Sequence, residues 1–150
     1  MRAALPLTTT ILPDEMPDQY VMICDGPCME PEIHDGQKLL FSRAERYKTG
    51  DFVVIFRKPE LVPKGDHQLL VKKLIIAPPP AYWRDGKVNR SGGIRPVVIV
   101  EMLNPHKIMY FDPSDHLGLH RCLGPVPVGL KTFRVTDREV KAEAARANRL

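Results

Sequence analysis

The sequence is short of the features that mark disulfide scaffolds, membrane spans and nucleic-acid stripes. It has only three cysteines, Cys24, Cys28 and Cys122. An odd number with no framework spacing argues against an extracellular disulfide fold and for free thiols in a reducing, cytoplasmic compartment. No apolar run approaches the ~18 residues that a transmembrane helix needs, so no membrane partner is expected. The stretch from Met1 to Asp18 has one Arg, a short apolar patch and then acids. It lacks the sustained apolar segment of a secretory signal. Aromatic residues are few, and none interleaves with the basic groups Arg43, Arg46, Lys48 and Arg57, Lys58, Lys64, which acids interrupt. The net charge of +4 therefore reads as a solvated surface and argues against direct nucleic-acid binding.

Proline, in contrast, is abundant, with 15 residues scattered along the chain. Scattered proline interrupts helices and central strands, so short strands and many loops are expected. The segments QYVMIC, QKLLFSR, GDFVVIFRK, HQLLVKKLIIA, IRPVVIVEM, KIMYF and LHRCLGPVPVGLKTF are of strand length and apolar character. Turn residues such as Asp35-Gly36 and Gly50-Asp51 separate them. The segment APPPAYW is read as neither helix nor central strand, and Asp85-Gly86 as a hairpin signal. Residues 1–18 read as an extended N-terminal arm, 19–135 as one mainly β domain, and 136–150 as a helical tail that Thr136 and Asp137 can cap.

Chemistry is expected at Cys28. A short apolar strand runs into Asp25-Gly26-Pro27, where the chain must turn, and Cys28 follows. A thiol presented there can attack a carbonyl if a base lies near. The candidate bases are His34, Lys72, Lys73 and His120. The two lysines sit in the apolar run LLVKKLII, so one of them must enter an apolar face. Alternation does not choose between them, because Lys72 shares a face with Leu70 and Leu74, and Lys73 with Val71 and Ile75. A small buried residue at a tight turn is the bland alternative for Cys28. A metal cluster of Cys24, Cys28, His34, His120 and Cys122 fits no tight structural zinc spacing, so no metal or cofactor is expected. In FDPSDH, the residues Asp112, Asp115 and His116 read first as turn formers.

The segment from Tyr20 to Leu40, YVMICDGPCMEPEIHDGQKLL, resembles the nucleophile segment of the LexA/UmuD-like self-cleaving serine peptidases, in which a strand leads into Ser-Met-x-Pro, then a Gly and a second strand. Similar segments follow in family order: TGDFVVI, LLVKKLI, EMLNPHKIMYF and LGPVPVGLK. The resemblance runs from Tyr20 to Lys131 and implies a LexA-like peptidase domain of short twisted strands with a short C-terminal helix. It implies Cys28 as nucleophile, Lys72 as general base, and Lys73 in the place of a neighbouring arginine. Pro27, Met29 and Pro31 would shape the oxyanion region and the substrate cleft, and Gly36 the turn into the next strand.

The sequence departs from the family in three ways. Cysteine stands where the family has serine. Pro27 has no N–H, whereas the family's residue before the nucleophile resembles an oxyanion donor. The Ala-Gly or Cys-Gly bond that the family cuts in its own chain occurs nowhere. The resemblance therefore implies a regulatory protein of the SOS or phage-repressor kind, weak or inactive as a peptidase. It would act through homodimerisation or on a peptide or protein partner. The alternative is an active Cys28–Lys72 peptidase that cleaves another chain.

Overall fold

In the computed structural model, residues 10–85 and 96–127 are described. They are mainly β: one seven-stranded antiparallel sheet in the order β1-β2-β7-β3-β4-β5-β6. The strands are β1 (Gln19–Ile23), β2 (Lys38–Ser42), β3 (Phe52–Arg57), β4 (Leu69–Ile76), β5 (Val98–Leu103), β6 (His106–Phe111) and β7 (His116–Pro125). The long return of β7 between β2 and β3 ties the two halves of the sheet together.

Strand β3 explains why its sequence is a continuous apolar run rather than an alternating one. It is central, between β7 and β4, and all of Val53, Val54, Ile55 and Phe56 are fully buried. Their side chains alternate between two apolar clusters, one on each face of the sheet. Val54 and Phe56 join Tyr20, Met22, Phe41 and Cys122 in the first cluster. Val53 and Ile55 join Leu74, Val98, Val100 and Leu119 in the second. A polar pair lies within this core. The Tyr20 hydroxyl lies 2.7 Å from His120 Nδ1, and the His120 ring packs edge-on against Phe56. Burial holds His120 down at about 4 and Tyr20 well above its ordinary value.

Two features differ from expectation or extend it. Residues Ala81–Asp85 form a short helix, α1, where the proline run suggests none. The three prolines precede the helix, and the carbonyls of Pro79 and Pro80 accept the first N–H groups, from Tyr82 and Trp83. Proline is tolerated there because the missing N–H would have no intrahelical partner. The described part of the N-terminal arm lies against the sheet. Ile11 is buried, donates its N–H to Gln68 Oε1 and accepts from Gln68 Nε2. Pro13–Glu15 then make one 3-10 turn. The helix expected at 136–150 lies outside the described residues, as does Gly86 of the expected hairpin turn.

Candidate active site

Cys28 lies in the loop that joins β1 to β2. The hairpin continues one step past Ile23↔Lys38, with the Cys24 N–H donating to the Gln37 carbonyl and the Gly36 N–H to the Cys24 carbonyl. Gly36 has φ +85° and a Cβ there would meet nothing within 4 Å, so an added methyl is penalised by the backbone rather than by a clash. Gly36→Ala should cost about 1 kcal/mol and lower Tm by about 3 °C. A thermal melt checks this, and an unchanged Tm would show that the loop adopts another path.

Inside the loop the chain makes a helical turn. The Glu30 N–H donates to the Pro27 carbonyl, and the Ile33 N–H to the Met29 carbonyl. The side chains of Met29 and Ile33, four residues apart, point the same way into the first cluster and are buried. Cys28 remains partly exposed above them. A second element holds it from the other side. The N–H groups of Leu103 and Asn104 both donate to the Cys28 carbonyl, at 3.0 and 2.8 Å, and Asn104 Nδ2 donates to the Pro27 carbonyl at 3.2 Å. The turn between β5 and β6 thus clamps the backbone of residues 27 and 28. Nothing local in the sequence marks this clamp except the Asn104-Pro105 pair in the turn.

The lysines separate cleanly. Lys72 is buried, and its Nζ lies 3.5 Å from Cys28 Sγ while also donating to the Val71 carbonyl at 3.2 Å. Lys73 Nζ instead meets Glu32 at 3.3 Å and sits over the Phe52 ring. Pairing explains why β4 is open beside Cys28. Strand β5 pairs with β4 only from Lys73 onward, so Leu69 to Lys72 have no strand neighbour on that side among the described residues. The Gln68 carbonyl accepts from the Arg57 N–H, and Leu74 donates to the Asp51 carbonyl and accepts from the Gly50 N–H, all on the β3 side. By alternation, the peptide groups of Leu69 and Val71 face away from β3, toward the open side. A cleft lies here, bounded by the end of β1, by Cys28 and by this stretch of β4.

The other expected residues distribute as follows. Pro27 immediately precedes the sulfur-bearing residue and contributes no N–H. The Cys28 N–H meets no acceptor among the described residues. Met29 is core rather than cleft wall. Pro31 is exposed, on the solvent side of the loop. Of the weighed metal ligands, His34 faces Glu30 at the surface, His120 is bonded to Tyr20, and Cys122 is in the first cluster. No group of three or more such side chains converges among the described residues. Asp112 accepts from the N–H and hydroxyl of Ser114 and so caps the turn Pro113–Asp115.

The three thiols differ. Burial pushes Cys24 and Cys122 up to about 11, and at Cys24 a charge on Cys28 adds to the effect. Cys24 lines the same cleft as Cys28. Chemically the site offers one partly exposed sulfur, one amine donating to it, one free backbone N–H and an open strand edge. No family model, curated protein or solved structure matches this chain.

Proposed function

We propose that this chain is a LexA/UmuD-like peptidase-fold regulatory protein that holds an extended segment of a protein partner, or of a second copy, beside a weak Cys28–Lys72 dyad. The observation that carries the reading is the 3.5 Å separation of Cys28 Sγ and Lys72 Nζ at the edge of the cleft. That distance lies within reach of proton transfer. The outward peptide groups of Leu69 and Val71 support the binding half of the reading, since an extended segment can add to an open strand edge. Free thiols at all three cysteines fit a reducing compartment such as the cytoplasm.

Weak turnover follows from the oxyanion region. Thiol attack on a peptide carbonyl forms the C–S bond and moves the thiol proton to the Lys72 amine. When the tetrahedral intermediate collapses, the C–N bond breaks and the proton passes from Lys72 to the leaving amine, so Lys72 is again a free base for the water that hydrolyses the thioester. The developing oxyanion meets the Cys28 N–H but none from Pro27. Losing one such donor costs about 10²–10³ in rate in other hydrolases.

A peptide-library hydrolysis assay tests the reading. Wild type should turn over near background. Pro27→Gly should raise hydrolysis at least about tenfold by returning an N–H, discounted for the looser glycine backbone. Adding Cys28→Ala or Lys72→Ala to Pro27→Gly should abolish that gain. Robust wild-type cleavage that Cys28→Ala removes would establish the alternative, an active peptidase on other chains. A gain in Pro27→Gly that survives Cys28→Ala would dispose of the dyad.

A further inference from the structure

We propose that Cys24 and Cys28 form a peroxide-oxidisable dithiol, in which Cys28 is oxidised first and Cys24 resolves it to an intramolecular disulfide that occupies the cleft. Both cysteines line the one cleft and pack on the same apolar cluster. Only four positions separate them, and the chain between them bends at Gly26 and Pro27, where the φ of +95° at Gly26 suits glycine. They are also electrostatically coupled, since a charge on Cys28 is felt at Cys24. Cys122 does not line the cleft, which leaves Cys24 as the candidate partner among the three thiols.

The order of events follows from exposure. Cys28 is partly open to solvent, and Lys72 Nζ donates toward its sulfur at 3.5 Å. Cys24 is buried and held protonated by that burial, so it is a poor first target. In the first step the Cys28 thiolate attacks one oxygen of hydrogen peroxide. The S–O bond forms, the O–O bond breaks, and hydroxide leaves, giving the sulfenic acid. In the second step the Cys24 sulfur attacks the Cys28 sulfur. The S–S bond forms, the S–O bond breaks, and the thiol proton leaves with the hydroxyl as water. Cys24 and Cys28 are each oxidised by one electron, and peroxide is reduced to two waters overall. A small dithiol reverses the product by thiol exchange. Where the family has serine no such chemistry is available, so cysteine at position 28 adds an oxidant response to the site.

The inference shares the cleft geometry with the proposed function but does not need peptide turnover. Full-length protein treated with hydrogen peroxide and digested without reduction should yield a peptide carrying a Cys24–Cys28 disulfide, lighter by two hydrogen atoms than its reduced form. Cys24→Ser should instead accumulate a Cys28 sulfenic acid that dimedone traps, while Cys122→Ser should behave as wild type. Lys72→Ala should slow the first step roughly fivefold, the effect of losing one screened charge contact. Oxidation of Cys28 to sulfinic acid with Cys24 still free, or a Cys28–Cys28 crosslink between two copies, would overturn the proposal. The wild-type result stands even if a variant fails to fold. A disulfide without any hydrolysis in Pro27→Gly would leave this inference standing and remove the dyad.

Discussion

Iodoacetamide at pH 8 should alkylate Cys28 at least about a hundredfold faster than Cys24 or Cys122. Two independent effects point the same way. The thiolate is the nucleophile, and a thiol at about 11 is ionised to only about one part in a thousand at pH 8. Both slow thiols are also shut away from the reagent, with Cys24 only 5% and Cys122 only 8% exposed. Cys28 is partly open and has the Lys72 amine beside its sulfur. Lys72→Ala should therefore cut the Cys28 rate roughly fivefold and leave the other two unchanged. Site-resolved mass spectrometry of a time course measures all three rates in one sample. Equal labelling of the three cysteines, unaltered by Lys72→Ala, would mean that the amine does nothing at the sulfur.

The second large effect concerns acid. His120 ionises near 6.5 when unfolded but near 4 in the folded protein, because burial disfavours its cation. Between these values the unfolded chain binds the additional proton. Stability therefore rises with pH across this window, is fully present above about 6.5, and is lost as pH falls through about 4. The displacement corresponds to about 3 kcal/mol. His116 is depressed in the same direction, also by burial, so it adds to the slope. Urea unfolding of wild type and His120→Gln at pH 7, 5.5 and 4 separates the two. The variant should be less stable at pH 7, since the Tyr20 hydroxyl loses its ring-nitrogen partner. Its stability should also fall less steeply on acidification. Parallel pH profiles for the two proteins would show that His120 protonates in the fold without penalty.

The strands were readable in the sequence because length and apolar content suffice for that, even in β3, where both faces are buried and alternation vanishes. The proline run is a poor guide to residues 81–85, because its three prolines occupy the stretch just before the helix's first turn and not its interior. At the site, Cys28 and the lysine pair stood out locally, Cys28 at a turn and the lysines as charges within an apolar run. The choice of Lys72 over Lys73 was not readable from alternation. It depends on where β5 stops pairing with β4 and on how the turn between β5 and β6 holds the Cys28 loop beside the open stretch, both of which join residues far apart in sequence. The same holds for the Asn104 clamp, for the exchange of bonds between Ile11 and Gln68, and for the partnership of Tyr20 with His120. Polar side chains carry no periodic signal of their partners, and here those partners lie 57 to 100 positions apart.

Met29 and Ile33 have a consequence for how the molecule fluctuates. Loops around binding clefts commonly open in isolation, at little cost, because few apolar groups hold them. The loop carrying Cys28 is different: its two anchors are sunk in the same cluster as Phe41 and Phe56. Lifting it would expose the interior of the sheet. Its amides should therefore exchange with solvent only when the surrounding β1, β2 and β7 also let go, so that the reactive sulfur and the hydrophobic interior belong to one cooperative unit. A substitution selected to retune the thiol is then felt directly in global stability, and drift in the interior is felt at the thiol.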